Sequence, residues 1–432
     1  MSLSTSTDPA PNSDRRNFWV LALHHIVIRT GWIFKTETVI IPGFLDELGV
    51  GGAVRGCLPV LGRIGQSVPQ FLFANRVRRM PRQKWSLVWV SFLQGFPWMA
   101  LAALVVMLPE LSSVWQAAAF LIIYGVFNIT FGNWVLLSGT IQGKLIALER
   151  RGRLLGVSNF WGCGLAAVAA AVWLGRWLEL GLVGYGIIFG VVTASFFAAG
   201  LLALLFDEPA SDQAVENVGL GSFTREAWRL IVDNANFRRL VWVVTFYYMV
   251  LILFPHYTSF ASARLGIGRE AFVLWVVVQN LMNAFGSAVV GPLADRRGNQ
   301  TAICFLIFLA AATPLVAIAL AHLPEVLAVW GAATYWIVFV LLGFTPITQR
   351  IIANYALEIS PASQHPLYLG TLNLAQGLPL LLSPFAGWLI DLTSFEVVFA
   401  GGAVAILAGG MLSRRLVEPR TTEAFRQESP IP

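Results

Sequence analysis

The sequence predicts an all-α polytopic membrane protein: twelve membrane helices in two six-span halves, with both termini cytoplasmic. Three observations predict it. Hydrophobic residues make up 57% of the 432 positions and charged residues only 12%, more apolar surface than a soluble core can use. Stretches long enough to cross a bilayer, about 20 residues each, recur twelve times, with centres near residues 30, 65, 96, 125, 168, 194, 250, 283, 311, 337, 378 and 405. The basic residues gather in alternate loops between them.

Taken in order, residues 1–16 are polar with no cleavage site behind a short apolar core, which predicts a disordered cytoplasmic tail and an uncleaved first helix. Residues 17–206 supply six spans. The longest polar interruption, 207–239, then divides the chain; within it Phe223, Trp228, Ile231 and Val232 have the spacing of a short amphipathic helix lying along the inner membrane face. Residues 240–415 supply six more spans, and 416–432 form a second cytoplasmic tail. Placing the termini inside assigns 2 Lys and Arg to the first tail, then 5, 4, 4, 2 and 1 to successive inner loops and 4 to the last tail. That makes 22 inside, against Arg55, Arg176, Arg264 and Arg269 outside. The net charge of +6 is thereby explained by topology, with no basic face for nucleic acid. Cys57, Cys163 and Cys304 all fall in apolar segments, far apart, and read as buried hydrophobes; no metal site or disulfide framework is implied.

The two halves look duplicated. The segments RGRLLGVSNFWG (151–162) and HPLYLGTLNLAQG (365–377) align Leu155, Gly156 and Asn159 with Leu369, Gly370 and Asn373 at a constant offset of 214. The loops FANRVRRMPRQK and GPLADRRGNQ occupy the same place in each half. The second, with Gly291, Leu293, Asp295, Arg296 and Gly298, closely resembles the loop signature of the major facilitator superfamily, while the first departs from it with Asn75 before Arg76 and with Met80 and Pro81. The resemblance extends over the whole chain through the twelve spans, the long central loop and the inside termini. It implies two bundles facing each other across a central cavity, with alternating access by rocking. A carboxylate such as Asp295 beside Arg296 can latch the cytoplasmic side by charge-assisted hydrogen bonds; Asn75 can only hydrogen-bond.

The first span also carries His24, His25, Arg29, Lys35 and Glu37, although each charge at bilayer depth costs about 2.5 to 3.5 kcal/mol and needs a reason. At 100° per residue, His25, Arg29, Trp32 and Thr36 share one stripe, the candidate cavity wall. Glu37 matches the depth of Arg63 on the returning second span, predicting an ion pair, and Lys35 is placed to snorkel outward. Arg29 has no acid at its depth, which makes it the candidate ligand for a carboxylate or phosphate. Further candidates for the wall are Asn128 and Asn133, Tyr247, Tyr248 and His256, Gln279 and Asn283, Thr345 and Gln349, and Asn373 with Gln376; Trp98 joins Trp32 among the tryptophans.

No nucleotide-binding GxxxxGK[ST] is present, and no nucleophile with a base or cluster of metal ligands stands out, so neither an enzyme nor a cofactor is expected. The expectation is a monomeric secondary transporter of the plasma or bacterial inner membrane, moving a small solute, with an organic anion favoured by Arg29. Proton coupling would fall on His25 or Glu37. Efflux of lipophilic compounds or lipids is the rival, with Arg29 then structural; a non-transporting sensor or assembly partner is the third reading.

Overall fold

Inside a bilayer a segment must satisfy its own backbone groups, and an uninterrupted apolar run does so only as a helix. The computed structural model describes residues 11–78, 80–107, 111–146, 148–210, 220–361 and 364–419, and its regular structure is helical. The first half holds α1 (Pro11–Trp32), α2 (Ile40–Glu47), α3 (Gly52–Arg78), α4 (Lys84–Met107), α5 (Ser113–Leu145), α6 (Leu148–Ala169), α7 (Gly175–Leu178) and α8 (Leu182–Ala203). After α9 (Leu220–Asp233) come α10 (Ala235–Tyr247), α11 (Met249–Leu253), α12 (Tyr257–Leu265), α13 (Phe272–Arg297) and α14 (Asn299–Ala321). The chain continues through α15 (Ala328–Thr334), α16 (Trp336–Leu342), α17 (Thr345–Glu358), α18 (His365–Leu380), α19 (Ser383–Leu392) and α20 (Phe395–Ser413).

Nine helices among the described residues are long and apolar enough to cross a membrane, so the chain is an integral membrane protein. The three other stretches singled out in the sequence correspond to α1, α3 and the broken pair α18 and α19. Their apolar character is diluted: α1 carries two histidines and Arg29, and α3 carries Arg55, Arg63 and Gln66. Residues 11–16, expected to be disordered, are already helical; Pro11 is the first residue of α1, where a missing N–H costs nothing. The amphipathic helix α9 buries Ala227 and leaves Trp228 and Val232 exposed.

Equivalent helices pair alike in the two halves. α4 packs on α8 as α14 packs on α20, α3 on α5 as α13 on α16, and α1 on α8 as α10 on α20. Each half also ties its end to its beginning. The Asn17 side chain brackets the backbone of Asp207 with two hydrogen bonds of 2.8 and 2.9 Å, and Glu208 accepts the backbone N–H groups of Gln83 and Lys84 at the start of α4. In the second half Asn236 accepts from the Val417 N–H, and Glu418 accepts from the Gln300 N–H at the start of α14. These Asn and Glu pairs mark one end of the molecule, called here the terminal end.

At the opposite, far end a single hydrophobic core runs through both halves, joining Phe34, Ile40 and Phe44 to Leu253, Phe260, Phe272 and Trp275. Towards the terminal end each half has its own separate core. Between halves, α3 lies against α19 and α6 against α13. The α3–α19 crossing is closed by glycines: a Cβ on Gly387 would stand 2.0 Å from the Gly52 carbonyl oxygen, and one on Gly56 2.3 Å from that of Ser383. Side chains then lock the far end. Asp391 of α19 accepts the Gly52 and Ala53 N–H groups at the start of α3, Ser259 donates to Asp46, Thr258 donates to the Thr38 carbonyl, and Arg269 pairs with Glu47.

Candidate functional site

A cavity of 310 Å³ lies between the halves, and helix breaks build much of its wall. α1 ends at Trp32, a 3-10 turn covers Ile33–Lys35, and Thr36 is extended, so Thr36, Glu37 and Thr38 line the cavity from a broken helix rather than from a continued stripe. Phe254 and Pro255 come from the turn between α11 and α12, and Gly343, Thr345 and Pro346 from the junction of α16 and α17. Proline at these junctions removes a backbone donor and seeds the break.

Charge is concentrated here. Arg29 lines the cavity, with its Nε buried and unbonded; it fits because a Cβ at position 162 of α6 would stand 2.9 Å from the Arg29 Cβ, so only Gly162 admits it. Asn283 lines the cavity from the second half and accepts from Arg350 Nη2 at 3.3 Å, which sets a second guanidinium behind the wall. Neither guanidinium is in an ion pair among the described residues. Arg350, counted in the sequence as a loop cation, is the residue that reading missed; its place one turn beyond Pro346 at the start of α17 was the available signal.

The predicted Glu37–Arg63 pair is not formed. Arg63 crosses instead to the second half, where Nη2 donates to the Asn373 carbonyl at 2.7 Å, to its side-chain oxygen at 3.1 Å and to Gln376 Oε1 at 2.5 Å. Glu37 Oε1 accepts from the Tyr124 hydroxyl at 2.5 Å. Both residues line the cavity, but three acceptors on α18 outcompete one carboxylate in the turn before α2. Lys35 does not snorkel. It is fully buried, its Nζ has no hydrogen-bond partner, and it sits 3.2 Å from the centre of the Trp32 ring, 4.7 Å from that of Phe127 and 5.8 Å from that of Trp98. A desolvated cation over a ring gains about 2 kcal/mol, less than the several kcal/mol that burying an ammonium costs.

Of the other candidates, Trp32, Thr36, Tyr248, Gln279, Thr345 and Gln349 line the cavity, and Thr38 donates to Gln279 across the halves at 2.7 Å. Asn280, not singled out in the sequence, lines it too. His25 leaves the stripe: its Nε2 is 3.4 Å from Ser138 on α5, beside Trp134. Asn128 is buried and donates to the Tyr124 carbonyl, Asn133 to that of Ile129, and buried Tyr247 to that of Thr345, each satisfying backbone rather than facing a ligand. Asn373 and Gln376 act on Arg63, His256 is buried, and Trp98 is a core ring against Phe127 and Phe189. Of the loop residues, Arg76 and Arg296 are exposed, Gly291 borders a second hollow at the terminal end, and Gly298 takes φ +87° to separate α13 from α14. The side chains of Asn75 and Asp295 lie outside the described residues, and with them the expected latch. Among the described residues no cluster of three metal-ligating side chains occurs.

The comparison with solved structures follows from this arrangement. A mutant of the nucleoside transporter NupG is similar over 93% of this chain and 100% of its own, with a TM-score of 0.72 and 12% identity. A D-xylose–proton symporter is similar over 94% and 99%, with a TM-score of 0.69 and 14% identity. The chain has the major facilitator fold. A bacterial homologue of the human lysosomal transporter Spinster, in an inward-facing and unoccupied conformation, shares this fold with the chain at a TM-score of 0.59 and 16% identity, over 96% of this chain and all of that one. Among curated proteins, the human solute carrier family 67 member A1 is 26% identical over 174 residues, 40% of each chain. No family model matches the chain.

Proposed function

We propose that this major facilitator chain is a secondary transporter that moves a small organic anion through the central cavity by alternating access. The observation that carries the substrate class is Arg29 on the cavity wall, with a second guanidinium, Arg350 of the other half, bonded to the wall residue Asn283, and neither cation in an ion pair among the described residues. A carboxylate or phosphate bound at Arg29 would supply the missing partner through parallel hydrogen bonds. Because Arg350 belongs to the other half, an anion that also drew on its charge would favour one arrangement of the halves over another, a differential interaction of the kind that drives a conformational change.

In this reading the chain crosses a plasma or bacterial inner membrane twelve times, with α1, α3 and the pair α18 and α19 completing the set, both termini cytoplasmic, and the far end outside. Three of the four basic residues assigned outside are neutralised there, Arg55 by Asp46, Arg264 by Glu396 and Arg269 by Glu47, which suits the rule that uncompensated positive charge stays inside. The sealed far end and the separate cores at the terminal end then correspond to an inward-facing state. For proton coupling Glu37 is the better candidate than His25, because Glu37 lines the cavity and His25 does not. Efflux of lipophilic solutes keeps one observation in its favour: Leu251, Phe254, Leu342 and Leu380 give the cavity an apolar wall, so the anion carries an apolar body.

A thermal-shift screen of the purified protein against organic anions, phosphate, sugars, amino acids and lipophilic cations tests the proposal. Anions are expected to stabilise the protein, and Arg29→Ala to abolish that stabilisation while leaving the protein folded. Stabilisation by lipophilic cations alone, or anion stabilisation unchanged in Arg29→Ala, would overturn it.

A further inference from the structure

The chain uses lysine sparingly: Lys35, Lys84 and Lys144 are its only three among 29 basic residues. Lys84 and Lys144 serve the terminal end, where the first donates to the Phe206 carbonyl at 2.6 Å and the second to Glu208 at 2.8 Å. Lys35 is different in every respect. It is fully buried and its Nζ finds no acceptor among the described residues, although an ammonium has three protons to donate. Glu37, two residues on, is held by Tyr124 instead. Of the elements around the Ile33–Lys35 turn, α4 beyond Lys84, α8 and the π-turn Ala170–Leu174 contain no Asp, Glu, His, Lys or Arg, and the acids of α2 are engaged elsewhere, Asp46 with Arg55 and Ser259 and Glu47 with Arg269.

The cage has one movable wall. Trp98 and Phe127 are core rings, 0% and 1% exposed, packed against each other with centroids 5.1 Å apart. Trp32 is half-buried, lines the cavity, and is the side chain that belongs to both places. It sits at the end of α1, next to the 3-10 turn, where a small rotation of the backbone would swing its ring. Besides Phe127, at a centroid distance of 6.4 Å, it packs on Phe131, also a cavity residue, at 4.7 Å.

We propose that Lys35 is a concealed anion-binding residue of the cavity, shielded by Trp32 and uncovered when an anion carried on a flat apolar body displaces that ring. This rests on the anion-transport reading of the cavity and deepens it. The body of the solute takes over the contacts that Trp32 makes with Phe131, and its charge supplies the acceptor that Lys35 lacks, beside Arg29 three residues before Trp32 on the same helix. The site thereby selects aromatic carboxylates over small hydrophilic anions, since only the former replace the ring they move.

Two measurements on the full-length protein test it. The first needs no ligand: acetylation with acetic anhydride at alkaline pH, read by mass spectrometry, with Lys84 and Lys144 as internal controls. Lys35 is expected to be protected in the wild type and modified in Trp32→Ala; protection unchanged in Trp32→Ala would overturn the proposal. The second titrates benzoate and acetate by thermal stabilisation. Lys35→Met is expected to weaken benzoate about tenfold, the worth of one charge-assisted hydrogen bond. Trp32→Ala should tighten acetate, and the double variant should lose that gain. Benzoate binding that depends on Arg29 but is indifferent to Lys35→Met would overturn this inference and leave the anion reading standing. If no anion stabilises the wild type, that reading falls and this one with it.

Discussion

Tyr124 holds the cavity's one described carboxylate in place. The ring is fully buried and stacked on Phe120, and its hydroxyl donates to Glu37 at 2.5 Å. Tyr124→Phe removes that donor and leaves a half-buried carboxylate short of a partner, which is expected to cost about 1 kcal/mol and to lower the thermal midpoint. Glu37→Gln in the same background should recover part of the loss, and an unchanged midpoint in the single variant would contradict the assignment. At this scale Arg29 was legible in the sequence, because a cation at mid-span without a matching acid is conspicuous in any chain. Arg63 and Lys35 were not. Depth along a helix says which groups are level with each other, but the partners of Arg63 lie more than three hundred residues away on α18, and a buried lysine held by rings leaves no complementary charge in the sequence to betray it. Arg350 was hidden by the opposite error: near the expected end of a span, an arginine looks like any other residue that sets topology.

Helices were legible as apolar stretches, but their interruptions were not. The stretch read as a single span near residue 30 is α1, a 3-10 turn, an extended step and α2; the one near 250 is α10, α11, another 3-10 turn and α12. These breaks coincide with the cavity wall because backbone freed from a helix at membrane depth is tolerated where it lines a polar hollow. Close packing was equally invisible, since the glycines at 52, 56 and 387 meet only after the two halves are assembled. Gly387→Ala places a methyl group 2.0 Å from the Gly52 carbonyl, so α3 and α19 must separate. Overpacking of this kind costs about 1–3 kcal/mol, and here it falls on the sealed state. In a background with Cys163 and Cys304 replaced by serine, the variant is expected to raise labelling of half-buried Cys57 on α3 by a maleimide added from the far side. Labelling equal to that of the parent would show that the crossing does not hold the far end shut.

The likeness of the two halves left one trace in the sequence that was easy to see, beside the paired loops, and another that was not. Leu155, Gly156 and Asn159 repeat as Leu369, Gly370 and Asn373 with a spacing of 214, long enough a match to stand out. The Glu-Pro pairs at 208–209 and 418–419 are too short to notice and their spacing, 210, differs; they become a repeat only when each glutamate is seen accepting from the backbone at the start of α4 or α14. The asparagines that hold the neighbouring backbone, Asn17 and Asn236, complete the correspondence. With its last residues fastened to α1 and α4 in the first half and to α10 and α14 in the second, each half is a self-closed body that owes nothing to covalent continuity with the other. The chain should therefore survive being cut. Two polypeptides divided between residues 211 and 219 and produced together are expected to associate through the far-end core and recover anion-dependent stabilisation, whereas removing Glu208 from the first piece should impair that piece alone. Failure of the intact pieces to copurify would mean that the link between the halves does more than join them.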